Sequence, residues 1–280
     1  MRVGRVLTAG ALFCLVVWAG SIALLWAAEE HLVFMTGQSR SYTQPLDPSI
    51  FKQRILTDSS ARRLSAVMLT HDEDDDRYWI LFCVPAGAST QVDRIQSQLK
   101  QLWSFGYDVF AFDYRGFGDS SGTPTEEGLY EDAAAAYAYL SRTQRVPPSR
   151  IILAGRSLGS AVAVELATRV DSAGLLLFSP IDSVPSVAQR LYPWAPVRWL
   201  ARHRFDSASK ARTIDVPVVM FYGWPDSYVR RTDARALFTD FRGPKLLIET
   251  GGGHHFAGFF DHAELYRNLK RFWPARPPSR

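Results

Sequence analysis

The chain has 280 residues, 47% hydrophobic and 21% charged, a composition that suits one globular α/β core and excludes a low-complexity polypeptide. The net charge is +4, but the basic residues are scattered, with modest clusters only at 198–204 and 270–280. No aromatic-and-basic module accompanies them, so no nucleic-acid partner is expected. Cys14 lies in an apolar run and Cys83 in a predicted buried strand, two segments that cannot easily meet, so no structural disulfide is expected.

Residues 6–28 are almost wholly apolar, long enough to cross a hydrocarbon core of about 30 Å as a helix. Arg2 and Arg5 precede this run, and Glu29, Glu30 and His31 follow it. The positive flank keeps residues 1–5 in the cytoplasm and places the rest of a single-pass protein on the non-cytoplasmic side. A cleaved signal peptide is the rival reading. The run exceeds the usual signal core of about 7 to 15 residues, and Trp26 spoils a small-x-small cleavage site before Glu29. A retained anchor is therefore expected.

Residues 29–60 read as a connector to a globular domain at 61–273, with a tail at 274–280. The acidic stretch 71–77 lacks the spacing, glycine and terminal glutamate of a calcium loop and reads as an exposed hairpin turn. Beyond it, strands alternate with helices. Strands are predicted at 78–84, 108–112, 151–154, 175–178, 218–222 and 245–249. Helices are predicted at 94–105, 130–142, 157–169, 233–241 and 261–272. This alternation implies an α/β fold, a mostly parallel sheet with helices on both faces and reactive groups at the carboxyl ends of its strands.

The run Gly155-Arg156-Ser157-Leu158-Gly159 lies where a strand turns into a helix. That context marks Ser157 as a nucleophile held on a strained turn, its flanking glycines removing side chains that would collide with strand and helix. The competing reading is a serine that merely caps the helix. A serine nucleophile needs a base, and the base an orienting carboxylate. Asp226 stands on the loop after the 218–222 strand; Asp215 and Asp233 lie before that strand and in the next helix. After the last predicted strand, Gly251-Gly252-Gly253 leads to His254 and His255, either of which fits the base. His31, His71, His203 and His262 fit no such position. No pair of histidines has convincing metal spacing, so neither metal nor cofactor is expected.

Taken in order, these residues resemble the α/β-hydrolase superfamily over about residues 78–272. Asp113 to Gly122 with Pro124 and Asp132, the elbow, Phe178-Ser179-Pro180, Gly223-x-x-Asp226-x-x-Val229 and Gly251-Gly252-Gly253-His254 carry the likeness. The nearest branch is the N-terminally anchored, short-lidded one related to serine aminopeptidase-like and acyl-protein thioesterase-like hydrolases. The family's G-x-G-H turn implies that His254 is the base, with His255 the alternative. The resemblance implies an acyl-enzyme on Ser157, with Asp226 holding the imidazole.

The sequence departs from the family at one place. Where His-Gly is common before the oxyanion loop, it reads Val84-Pro85-Ala86. Proline has no amide hydrogen, so the oxyanion donors fall to the N–H groups of Ala86 and Leu158. The Asp113–Gly122 run reads as structural, with Arg115 and Asp119 pinning the loop. Residues 183–215, rich in tryptophan and arginine, can form a small lid. The expected function is a membrane-anchored serine hydrolase of an ester or thioester, with an amide as the second choice, acting on a small-molecule or acyl substrate. The alternative is a weak or inactive hydrolase-fold binding protein.

Overall fold

The computed structural model describes residues 2–38, 43–57, 62–71, 77–254 and 263–274. Most of the acidic run, at 72–76, lies outside the described residues, as do His255, the pair Asp261 and His262, and the tail from 275 onward.

Two helices open the chain, α1 (Arg2–Ala27) and α2 (Glu29–Phe34). Strands β1 (Lys52–Thr57), β2 (Arg63–Leu69) and β3 (Trp79–Cys83) follow. Then come α3 (Asp93–Ser104), β4 (Asp108–Phe112), α4 (Glu126–Ala138), β5 (Ile151–Arg156), α5 (Leu158–Arg169) and β6 (Gly174–Phe178). Three short helices, α6 (Val184–Leu191), α7 (Val197–Leu200) and α8 (Ser207–Ala211), precede β7 (Val218–Trp224). The chain ends with α9 (Arg231–Asp240), β8 (Lys245–Gly251) and α10 (Ala263–Phe272).

All eight strands form one sheet in the order β1-β2-β4-β3-β5-β6-β7-β8, with β2 alone running against its neighbours. The six predicted strands are all present. β4, β5 and β6 are buried along their whole length, which requires cover on both faces and explains their unbroken apolar sequences. α3 covers them with one apolar stripe, Ile95, Leu99 and Leu102, whereas α5 is buried all round from Leu158 to Leu166.

Residues 29–60 are more than a connector. β1 pairs with β2 from Lys52↔Met68 to Thr57↔Arg63, and Phe34 at the end of α2 is fully buried in the core. β1 escapes a search for apolar runs because it is an edge strand: of Lys-Gln-Arg-Ile-Leu-Thr only Leu56 is buried. The second departure is α4, which starts at Glu126, earlier than its apolar residues suggest. Thr125 sets that start, its Oγ1 accepting from Gly128 N at 3.0 Å. The helix then loosens into a wide turn at Tyr139–Thr143.

The strand order places the site. β3 has β4 on one side and β5 on the other, so the connections leave in opposite directions and a crevice opens between their carboxyl ends. Cys83 is in register with Gly155, so the loop after β3 and the turn after β5 emerge side by side. No residue of the apolar stretch Leu7–Ala27 is buried, and by length and composition it can cross a membrane.

Candidate active site

Three loops at the carboxyl edge of the sheet bring Ser157, His254 and Asp226 together. Ser157 occupies the turn between β5 and α5 with φ 52° and ψ −121°, a left-handed conformation that side chains rarely adopt. The turn is held by Ser157 N donating to the Phe178 carbonyl (3.0 Å) and Ser160 N donating to the Ser157 carbonyl (3.0 Å). α5 approaches β3 so closely that a Cβ on Gly159 would collide with the Cys83 carbonyl. Although Ser157 sits at the N-cap position of α5, its hydroxyl makes no capping bond. Its Oγ lies 2.8 Å from His254 Nε2.

On the other side of the imidazole, Nδ1 lies 2.7 Å from Asp226 Oδ2. Oδ1 of Asp226 accepts from the N–H groups of Tyr228 (2.7 Å) and Val229 (2.9 Å), which fixes the carboxylate in its turn. With Nδ1–H donating to Asp226, Nε2 is left as the acceptor for the serine hydroxyl. Asp226 is 2% exposed and His254 5%, so water competes little for these bonds. Gly253 makes the meeting possible: it has φ +74°, and a Cβ there would stand 2.5 Å from the Pro225 carbonyl. The Gly251–Gly253 turn therefore lies directly against the Asp226 loop.

Around this triplet are residues that sequence patterns did not single out. The Tyr228 ring lies 4.8 Å from the His254 ring. Arg190 Nη2 on α6 donates to the Asp226 carbonyl at 2.9 Å, tying the 183–215 segment to the acid loop. No local motif marks Arg190, because its partner lies far away in sequence. Arg156 Nη2 donates to the His254 carbonyl at 3.3 Å. The elbow motif includes Arg156, but at the position whose identity the motif leaves open.

Ala86 and Leu158 both line the cavity into which Ser157 opens. Leu158 is the first residue of α5, so its N–H has no intrahelical acceptor. Ala86 N donates to no acceptor among the described residues. The loop that replaces His-Gly is braced from the N-terminal side: Gly87 N donates to the Phe34 carbonyl at 3.0 Å and Ala88 N to Pro85 at 3.3 Å. The Asp113–Gly122 run stays out of the cavity. Arg115 binds Asp132 through Nη2 (2.7 Å) and Glu131 (2.8 Å), Asp113 accepts from Thr90, and Asp119 accepts from Gln91.

The cavity encloses about 550 Å³. Ile22, Leu25 and Trp26 of α1 form one wall, and Val187, Leu191 and Leu200 of α6 and α7 another. Trp18 Nε1 donates to the Trp194 carbonyl (3.1 Å), so the 183–215 segment packs along α1. Among the described residues, no group of three His, Cys, Asp or Glu side chains is placed to hold a metal. Of the other histidines, His71 pairs with Asp108 at 2.9 Å and His203 packs on the Phe34 ring.

A family model described as serine aminopeptidase, S33 matches residues 80–209, from β3 through α8. The human α/β hydrolase domain-containing protein 17B is 30% identical over 220 residues, covering 78% of this chain and 73% of that protein. The chain belongs to the α/β-hydrolase superfamily. An uncharacterized protein of Mycobacterium tuberculosis shares 30% identity over 259 residues, covering 91% of this chain and 90% of the other. Among solved structures, an α-β hydrolase from Vibrio vulnificus superposes with a TM-score of 0.68 at 18% identity, covering 87% of this chain and 89% of that one. The Pyrococcus furiosus esterase Pf2001 gives 0.67 at 17% identity over 82% and 93%. These two show the α/β-hydrolase fold. The family model ends before Asp226 and His254, so their pairing with Ser157 rests on the geometry above.

Proposed function

We propose that the chain is a membrane-anchored serine hydrolase that cleaves a carboxylic ester or thioester through an acyl-enzyme on Ser157. The observation that carries this is the unbroken line from Ser157 Oγ to His254 (2.8 Å) to Asp226 (2.7 Å). In the first half-reaction Ser157 Oγ bonds to the carbonyl carbon while its proton passes to His254 Nε2. The N–H groups of Ala86 and Leu158 receive the oxyanion. Collapse of the tetrahedral intermediate breaks the bond to the alcohol or thiol, which leaves with the proton from Nε2. In the second, water adds to the acyl carbon, gives its proton to Nε2, and the carboxylic acid departs as Ser157 regains a proton.

The apolar cavity supports an acyl chain as the part of the substrate held beside Ser157, and residues 183–215 serve as the lid. The lid packs on α1 through Trp18 and Trp26, which supports retention of α1 as an anchor over its loss as a signal sequence. The positive flank of Arg2 and Arg5 supports a hydrolase domain on the non-cytoplasmic side. Protease protection on sealed vesicles tests this: digestion of the domain from the cytoplasmic face alone reverses the orientation.

The enzymatic reading is tested with a fluorophosphonate probe on the full chain in detergent. Wild type labels, and Ser157→Ala and His254→Ala do not, whereas His255→Ala does. A folded wild type that neither labels nor turns over short p-nitrophenyl esters would falsify the reading and favour a binding protein on a hydrolase fold.

A further inference from the structure

Apart from Glu29, the cavity is mostly apolar where α1, α2, α6 and α7 line it. Two guanidinium groups interrupt that lining, Arg94 in the first turn of α3 and Arg156 at the end of β5. Arg156 is 2% exposed, and its one described hydrogen bond goes to a neutral acceptor, the His254 carbonyl. Neither arginine has a carboxylate within ion-pair distance among the described residues. Arg115, buried to a similar degree, faces both Asp132 and Glu131. A buried cation without a counter-charge is costly, and such a group ordinarily has a partner. Burial, with Arg94 nearby, pushes the Arg156 guanidinium down to about 10, which leaves it a cation at neutral pH.

The cavity wall holds one carboxylate among the described residues, Glu29, and it is already engaged. Its Oε1 accepts from Arg202 N (2.7 Å) and His203 N (2.9 Å), and its Oε2 from Arg202 Nε (2.9 Å). Among the described residues, the positive charge that Arg94 and Arg156 bring to the cavity wall is therefore uncompensated.

We propose that Arg94 and Arg156 form a subsite for an anionic group, phosphate or carboxylate, on the leaving-group portion of the substrate. The assignment to the leaving group follows from where the walls come from. The chain-binding walls belong to α1, α2, α6 and α7, while the arginines belong to α3 and β5, Arg156 directly preceding the nucleophile. A guanidinium pair binds either anion by charge-assisted hydrogen bonds. This subsite rests on the acyl-enzyme reading above.

The test uses the full chain in detergent and three esters with one acyl chain: para-octanoyloxybenzamide, para-octanoyloxybenzoate and para-octanoyloxyphenyl phosphate. Wild type should prefer at least one anionic ester over the neutral amide by about tenfold in kcat/KM, mostly through KM, a size expected of charge-assisted contacts. The two anionic esters rank carboxylate against phosphate. Arg94→Gln and Arg156→Gln should each bring the anionic-to-neutral ratio toward unity. The ratio is taken within each variant, so a general loss of activity does not mimic the effect. Arg94 is exposed, so its variant stays readable if Arg156→Gln fails to fold. Equal kcat/KM for neutral and anionic esters in wild type overturns the subsite while leaving the hydrolase reading intact, as does a preference that survives in Arg94→Gln. A wild type that cleaves none of the three and takes no fluorophosphonate overturns both.

Discussion

At Ser157 the backbone carries a conformational cost that the proposed reaction uses and the fold does not need. With φ 52° and ψ −121°, its Cβ is crowded in a region that glycine enters freely. Residues held in such regions cost on the order of 1–3 kcal/mol. Ser157→Ala keeps a Cβ and so keeps this strain, while Ser157→Gly removes it. We expect both variants to lose fluorophosphonate labelling, and Ser157→Gly to unfold in urea at higher stability than Ser157→Ala by about 1 kcal/mol, part of the gain being offset by glycine's greater freedom when unfolded. Equal midpoints would show that the turn is relaxed. The serine and its carboxylate were legible in the sequence because each has a local signature, a glycine-flanked turn and a loop after an apolar strand. His254 was less so. Adjacent histidines look alike in composition, and only the resembled G-x-G-H turn favoured His254; its reach to Asp226 and Ser157 is a contact between segments that no local pattern encodes.

Between elements, the position of His254 depends on how β8 and α9 are joined. Glu249, near the end of β8, accepts from Arg231 Nη2 (2.8 Å) and Arg235 Nη2 (2.7 Å), one turn apart on α9. These two arginines pull its carboxyl down to about 2 from an ordinary 4.5. A depressed carboxylate stabilises the fold above its unfolded value, and that contribution is lost as pH falls from about 4.5 toward 2. Glu249→Gln should therefore lower the urea midpoint at pH 7, with wild type and variant converging as pH approaches 2. A gap that persists at pH 2 would assign the effect to packing. The same element shows what the sequence could not carry. Five of the predicted strands, β3 to β7, were legible because near-complete burial demands unbroken apolar runs, whereas β8 buries only Ile248 fully. β1 was not, because an edge strand with one buried side chain has no such demand, and its place is set by the ladder from Lys52↔Met68 onward.

Across the whole molecule, the segment just after α1 is built into the site. Phe34 is fully buried, its ring 4.9 Å from that of His203 and 6.2 Å from that of Phe205. Its carbonyl receives Gly87 N–H, directly behind the Ala86 amide proposed for the oxyanion. Glu29 ties the same segment to Arg202 and His203 through three hydrogen bonds. Removing residues 1–28 leaves all of these contacts in place, although it uncovers the cavity wall lined by Ile22, Leu25 and Trp26. Removing residues 1–38 takes Phe34 from the core, a loss of about 3 kcal/mol or more for a buried phenylalanine, and frees the oxyanion loop. We expect the chain beginning at Glu29 to fold and label with fluorophosphonate. The chain beginning at residue 39 should lose stability by at least that amount and label far more slowly, even under conditions where it remains folded. Labelling at the same rate in both would mean that the Val84-Pro85-Ala86 loop holds its shape without help from α2. The bond from Gly87 to Phe34 would then be incidental to the oxyanion site. Slower labelling in the shorter chain alone would tie α2 directly to the reactivity of Ser157.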